Sequence, residues 1–262
     1  MKCDYHVHSY YSDDSNVPME RQLKKACSLG LDELCFTDHV DYGVGGDNIN
    51  YARYFSELDR MREKFSGKIT VRSGLEFGVQ SHRTGYYESV YDSYRENIDF
   101  ILLSIHQVND LTLWSQSYQS GKTQDEYNRG YYEELLNVVR CYHDYSVLAH
   151  LDVIVRYDMA GVYPFEKAKD IIAEILTEAI NDGKGIELNT SSWRYGLTDT
   201  QPSREILKLY HDLGGEILSL GSDAHSPEYI YSHMDEATAI LKGIGFRRFC
   251  TFDKMKPSFH EL

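Results

Sequence analysis

The sequence predicts an α/β protein in which a parallel sheet closes into a barrel with its chemistry gathered at one mouth. Three observations carry this expectation. Short β-like runs alternate with helical stretches, the pattern of a parallel sheet wrapped by crossover helices. The 262 residues lie within the range of one α/β barrel, so residues 1–262 are expected to form a single domain. Each β-like run also ends in or beside a histidine, a carboxylate or an amide, and in a parallel barrel those ends converge on the mouth that carries the active site.

The expected strands cover 2–8, 33–37, 70–77, 100–105, 147–150, 185–189 and 216–220. The first bears two histidines two apart, His6 and His8, which in an extended chain share a face and can hold one cation together. A helix over 19–29 follows, amphipathic through Arg21 to Cys27, with Gly30 where a stop is expected. Further helices are expected over 51–65, 125–142, 165–180 and 203–213, the last two started by Tyr163-Pro164 and Pro202-Ser203. A helix over 234–242 and a short run over 249–252 end the chain. No internal repeat, low-complexity tract or long linker interrupts this order.

Laid onto these elements, the polar residues form a pattern. His6 and His8 end the first strand, Asp38 and His39 follow the second, and Glu76 lies near the end of the third. His106 follows the fourth, His150 ends the fifth, Asn189 ends the sixth, and Asp223 and His225 follow the seventh. A single histidine at a strand end is usually an ordinary hydrogen-bonded residue. His-x-His, Thr37-Asp38-His39 and Ser222-Asp223-Ala224-His225, joined by three further strand-end ligands, point instead to a polynuclear metal site. Imidazole and carboxylate donors suit zinc, manganese or iron better than calcium or magnesium. His143, His211, His233 and His260 fall outside the pattern and are expected on the surface; His82, in a loop after Glu76, is a candidate to touch substrate.

Composition narrows the partners. Lys plus Arg number 27 against 41 Asp plus Glu, a net charge of −14 that opposes nucleic acid polymers and anionic membranes. A phosphate group must therefore be drawn in by local metals or arginines. The five cysteines are scattered and without C-x-x-C spacing, which argues against a disulfide framework and fits a reducing cytoplasm. No apolar run approaches the roughly 20 residues that span a bilayer, and the histidine-bearing first strand is unlike a signal peptide.

From Asp4-Tyr5-His6-Val7-His8 through Thr37-Asp38-His39, Gly74-Leu75-Glu76, Ser104-Ile105-His106 and Ala149-His150-Leu151-Asp152 to Ser222-Asp223-Ala224-His225, the chain resembles the PHP (polymerase and histidinol phosphatase) superfamily. Within it the chain is most similar to the histidinol-phosphate phosphatase-like members. The resemblance implies a distorted (βα)7 TIM-like barrel with two to three divalent transition metals at its C-terminal mouth. It implies that His6, His8, Glu76 and Asp223 hold the first metal, that Glu76 bridges to a second held by His106 and His150, and that His39 and His225 hold the third. A residue of the Ser12-Asp13-Asp14-Ser15 loop completes that third set; Asp13 and Asp14 both qualify, and Asp14 is favoured. Asp4, Asp38 and Asp152, each close to a ligand in sequence, are candidates to orient the imidazoles.

The same resemblance gives Arg156 and Arg194 to the substrate phosphate, consistent with guanidinium forks in an acidic protein. The implied reaction is hydrolysis of a small phosphomonoester, with L-histidinol phosphate the leading substrate and histidine biosynthesis the setting. Glu76 and Asp223 would serve through the metals, and His225 or a neighbouring aspartate would protonate the leaving alkoxide. Three rivals share the scaffold: a nuclease or nucleotide phosphoesterase, a phosphotyrosine phosphatase, and a regulatory domain that binds metal without catalysis. The acidic composition opposes the nuclease, the loop after His-x-His differs from the phosphotyrosine type, and the complete ligand set opposes the regulatory domain. An amidohydrolase would share the barrel and the His-x-His, but the Ser-Asp-Ala-His ending and the Gly-Leu-Glu strand favour phosphoester chemistry. Oligomeric state is not legible in the sequence.

Overall fold

A computed structural model describes residues 1–43 and 49–262. Seven parallel strands form one sheet in the spatial order β1 (Cys3–Val7), β2 (Glu33–Val40), β3 (Thr70–Gly78), β4 (Phe100–Ser104), β7 (Val147–Leu148), β8 (Gly185–Asn189) and β9 (Leu218–Gly221). The short antiparallel hairpin β5 (Gln107–Val108) and β6 (Leu111–Thr112) lies between β4 and β7 in sequence. Its turn residues Asn109 and Asp110 have φ of 53° and 61°, the left-handed pair that joins closely spaced strands. The sheet closes on itself where His8 N–H donates to the Ala224 carbonyl at 3.0 Å and Ala224 N–H to the His6 carbonyl at 3.1 Å. The first and last ligand-bearing segments thereby become neighbours.

Helices wrap the barrel: α1 (Met19–Leu29), α2 (Tyr51–Lys64), α3 (Thr84–Tyr94), α4 (Gln124–Cys141), α5 (Phe165–Asn181), α6 (Arg204–Asp212) and α7 (Met234–Ile244). Their boundaries follow local chemistry. Gly30 ends α1 at φ 72°, Asn50 accepts from Arg53 N–H at the start of α2, and Thr123 with Glu126 forms a capping box on α4. Pro164 precedes α5, and the Ser203 side chain accepts from Ile206 N–H to open α6.

Helix α3 and the β5–β6 hairpin depart from the sequence expectation. Only Tyr87 and Val90 of α3 are buried, so its apolar face is too thin to give a period. Strand β2 is longer than expected. It runs on through Asp38 and His39 because β3 pairs with it as far as Val40 opposite Phe77. Strand β7 is shorter, so His150 stands in the turn beyond it.

At the other end of the barrel β10 (Arg248–Asp253) and β11 (Lys256–Glu261) form a hairpin. It carries Phe252 against Phe100 and Tyr5, with ring centroids 4.7 and 6.1 Å apart, and Phe252 N–H donates to the Tyr5 hydroxyl at 2.8 Å. This plug fixes the start of β1 and hence the height at which His6 and His8 emerge. All five cysteines are free thiols, and no helix of the described residues is long and apolar enough to cross a membrane.

Candidate metal centre and active site

Glu76 is the hub of the site. It is fully buried on β3, directly beside His39 in the ladder with β2. Its Oε2 lies 3.0 Å from His6 Nε2, 3.5 Å from His8 Nε2 and 3.1 Å from His39 Nδ1. Its Oε1 lies 2.8 Å from His150 Nε2 and 3.2 Å from His106 Nε2, and also accepts from the Ser104 hydroxyl at 2.6 Å. Asp223 Oδ1 adds a second carboxylate to the His6–His8 side, 3.7 and 3.4 Å from their Nε2 atoms. On the outer side Asp14 Oδ2 faces His225 Nε2 at 2.9 Å and His39 Nε2 at 3.7 Å.

All nine residues proposed as ligands, namely His6, His8, Asp14, His39, Glu76, His106, His150, Asp223 and His225, therefore meet in one cluster. Asp14 rather than Asp13 faces the outer imidazoles. His39 presents one nitrogen to Glu76 and the other to Asp14, so it stands between the inner and outer groups. Four overlapping sets place their donor atoms within 4.8 Å of one another: His6, His8 and Asp223; His6, Glu76 and His150; His39, Glu76 and His106; and His8, His39 and His225. Donors about 2.0–2.2 Å from a common transition metal lie roughly 3–3.5 Å apart, and the imidazole–carboxylate pairs of the cluster lie between 2.8 and 3.7 Å apart. His8 Nε2 is buried without a hydrogen-bond partner, as a ligand aimed at a cation and not at a protein donor would be. The donor set fits divalent transition metals.

Two of these residues sit on strained backbone. His150 has φ 24° and Asp223 φ 54°, values uncommon outside glycine. The strain is held by hydrogen bonds. Glu187 on β8 receives His150 N–H at 2.9 Å on one oxygen and His6 Nδ1 at 2.6 Å on the other. The Asp223 carbonyl receives Arg194 Nη2 at 2.8 Å.

Electrostatics follow from this crowding. Burial pulls the His6 pKa down, yet Glu187, Glu76 and Asp223 outweigh it and hold it well above the imidazole norm. Burial would raise Glu76, but His6, His39 and His106 hold it well below the carboxylate range. His106 is pushed up to about 9 because Asp41 and Glu76 overcome its burial. His8, by contrast, is driven well below its usual value by burial and by the neighbouring His225 and His39.

The carboxylates that orient imidazoles are Glu187 and Asp41, not the three proposed from sequence. Asp41 lies 2.8 Å from His106 Nδ1, and Ser12 Oγ lies 3.0 Å from His8 Nδ1. Asp4 instead accepts from the backbone of His6, Ser222 and Tyr231; Asp38 accepts from Ser9 and Ser12; Asp152 accepts from Ser203 N–H. Asp38 is next to His39 on a strand and so points to the opposite face, while Asp4 lies one layer deeper than His6. The available signal for Glu187 was an acid within the apolar run Gly185-Ile186-Glu187-Leu188, and for Asp41 its place two residues after His39.

A cavity of about 270 Å³ opens over the cluster, walled by Asp13, Trp114, Val153, Arg156, Tyr157 and Tyr195. Arg156 faces it from the 3-10 turn Val153–Tyr157, with Nη1 3.0 Å from Asp223 Oδ2 and Nη2 2.6 Å from Ser191 Oγ. Its guanidinium lies over the Tyr195 ring at 4.6 Å. Arg194 does not line the cavity. The 3-10 turn Ser191–Trp193 carries it over the Ser222–Asp223 segment, where its Nη1 and Nη2 donate to the two carbonyls. His82 is outside as well, because the chain turns from β3 into α3; it is exposed and pairs with Asp110 at 3.3 Å. His225 has its Nδ1 3.0 Å from the Asp223 carbonyl and its Nε2 2.9 Å from Asp14 Oδ2.

Residues 4–191 match the PHP domain family. The chain belongs to this family. It is 30% identical to the histidinol-phosphatase of Lactococcus lactis subsp. lactis over 97% of this chain and 96% of that one. A Thermotoga maritima relative named probable histidinol-phosphatase is 29% identical, covering 93% of this chain and 92% of its own. The crystal structure of the L. lactis histidinol phosphate phosphatase, complexed with zinc, L-histidinol and phosphate, superposes with a TM-score of 0.89 over 98% of each chain at 30% identity. The barrel with its mouth-side cluster is thus a PHP fold over nearly the full length.

Proposed function

We propose that this PHP protein is a metal-dependent histidinol-phosphate phosphatase, converting L-histidinol phosphate and water to L-histidinol and phosphate. The observation that carries the reading is the cluster of nine donor residues, in which five imidazoles face the Glu76 hub, beneath a cavity whose inner wall bears Arg156. The full-length similarity to the L. lactis enzyme supports the substrate.

His6, His8, Glu76 and Asp223 would hold a first divalent metal, Glu76 with His106 and His150 a second, and Asp14, His39 and His225 a third. Zinc, manganese and iron all suit these donors. Such metals supply Lewis acidity and an activated water at neutral pH. The chain's own contribution is placement. Glu187, Asp41 and Ser12 fix the imidazoles, Arg156 offers N–H groups to phosphoryl oxygens, and Arg194 braces the Asp223 carbonyl that sets the Arg156 partner. Residues 1–262 would act as one catalytic unit in the cytoplasm on a small phosphorylated metabolite, with nucleic acid polymers excluded by charge.

The test is phosphate release by the purified, metal-loaded protein from L-histidinol phosphate, nucleotides, phosphotyrosine and short oligonucleotides. L-Histidinol phosphate is expected to give the highest kcat/KM. Turnover of another class with none of histidinol phosphate overturns the proposal.

A further inference from the structure

The Arg156 guanidinium is held along its edges and across its face. Its Nε donates to Gln201 Oε1 at 2.5 Å, its Nη2 to Ser191 Oγ at 2.6 Å and to Asn189 Oδ1 at 3.4 Å, and its Nη1 to Asp223 Oδ2 at 3.0 Å. The Tyr195 ring covers it at 4.6 Å. A guanidinium has five N–H groups, so one of them, on Nη1, is left without a partner among the described residues. Among those residues Arg156 is also the one lysine or arginine that lines the cavity. The orientation of this single fork therefore sets what positive hydrogen-bonding surface an anion can meet there.

Asn189, Ser191 and Asp223 also bond to one another, and Asp223 faces the imidazoles of the cluster. Gln201 differs. Its side chain is fully buried, its oxygen serves Arg156, and its nitrogen has no partner. Its backbone is clamped to the end of β8, where Asn189 N–H donates to the Gln201 carbonyl at 2.6 Å and Gln201 N–H to the Asn189 carbonyl at 3.3 Å. That pairing delivers it to Arg156 across 45 residues of sequence. A buried amide with an unpaired N–H2 is a costly way to fill space, and an apolar side chain of similar length would fill it without that loss. What the apolar side chain cannot supply is an acceptor for Nε. The amide can supply it in one orientation only, because exchanging its oxygen and nitrogen would set two donors against each other.

We propose that Gln201 is a positioning residue for phosphate recognition, locking the Nε edge of Arg156 so that the spare Nη1 N–H is presented to a phosphoryl group in the cavity. The proposal rests on the reading of Arg156 as a phosphate ligand. Gln201 touches neither substrate nor metal and acts through Arg156 alone. A fork fixed before the anion arrives has less side-chain freedom to lose on binding, and the difference is read as affinity.

The experiment is a double-mutant cycle of Gln201→Met and Arg156→Ala, read as the binding of inorganic phosphate to the zinc-loaded protein by titration calorimetry. Gln201→Met keeps the length and removes the oxygen, and Gln201→Leu is a second variant of the same kind. Each is expected to weaken phosphate about tenfold in the otherwise wild-type protein, the scale of one hydrogen bond to a charged group. In the Arg156→Ala background each should change it by less than about twofold. Zinc content by elemental analysis and the far-ultraviolet circular dichroism should match wild type. A side chain that merely fills space would weaken phosphate equally in both backgrounds, or in neither, and either result overturns the assignment. So does a loss of zinc in both Gln201 variants, or an Arg156→Ala protein that binds phosphate as the wild type does. A cycle that comes out as expected in a protein unable to hydrolyse L-histidinol phosphate instead overturns the proposed substrate and leaves Gln201 in its role.

Discussion

Glu76 shows how much one side chain can carry. Its two oxygens face five imidazoles, so removing it strips a donor from both inner groups at once. Loss of His225 removes a donor only from the outer group. Glu76→Ala is therefore expected to lower kcat/KM by more than about a hundredfold and to cut bound metal, with His225→Ala milder on both measures. Phosphate release and elemental analysis on the two proteins decide it; a Glu76→Ala protein retaining above about a tenth of wild-type activity would sink the hub assignment. The arginines separate in the same way. Arg156 lines the cavity and Arg194 does not, so Arg156→Ala should cost about ten- to a hundredfold in kcat/KM and Arg194→Ala less. At this scale the donors that follow strand ends were legible, because His-x-His and Ser-Asp-Ala-His carry their own spacing. Glu187 and Asp41 were not, since an acid that contacts a ligand from the neighbouring strand is adjacent only in space.

At the scale of elements, the strands that hold the ligands are kept in register by carboxylates seated where a side chain is missing. Glu187 on β8 joins His6 on β1 to the turn after β7, and it fits because Gly221 on β9 has no Cβ: one placed there would come 2.1 Å from Glu187 Oε1 and 2.4 Å from His6 Cβ. Gly78 does the same for the Asp41–His106 pair, where a Cβ would fall 1.7 Å from Asp41 Oδ1. Gly221→Ala is thus expected to displace His6 and lower metal affinity more than Gly85→Ala, whose Cβ meets nothing within 4 Å. Glu187→Gln, which keeps the shape and removes the charge, should weaken metal binding about ten- to a hundredfold in a chelator competition while the far-ultraviolet circular dichroism is retained. Unchanged affinity would show that Glu187 only fills space. The order of strands and the main helices could be read from period and caps. Helix α3 could not, because its Thr-Gly-Tyr-Tyr start has poor helix propensity and buries only two residues. The extension of β2 through His39 was hidden too, as it depends on the partner strand β3 and not on its own Thr-Asp-His sequence.

For the molecule as a whole, the metal centre doubles as a closure. His6 and His8 come from the first strand and Asp223 and His225 from beyond the last, and among the described residues the barrel seam between them is held by the His8–Ala224 and Ala224–His6 backbone bonds with the Asp4 carboxylate on Ser222 beside them. Ions bound across that seam would tie the ends of the sheet together and screen carboxylates that repel one another in a chain of net charge −14. Binding to the folded state alone stabilises it by about 2.7 kcal/mol when free metal is a hundredfold above the dissociation constant. In a chain of this size each kcal/mol moves Tm by about 2–4 °C, so stripping the protein with a chelator should lower Tm by roughly 5–10 °C. Zinc or manganese should restore it, and calcium, with its preference for all-oxygen shells, should not. The seam predicts where the loosening occurs: amide hydrogen exchange should rise most in β1, β9 and Ser222–His225, and little in β3 and β4 at the opposite side of the ring. A uniform rise, or a Tm indifferent to metal, would show that the barrel closes without help from the centre it carries.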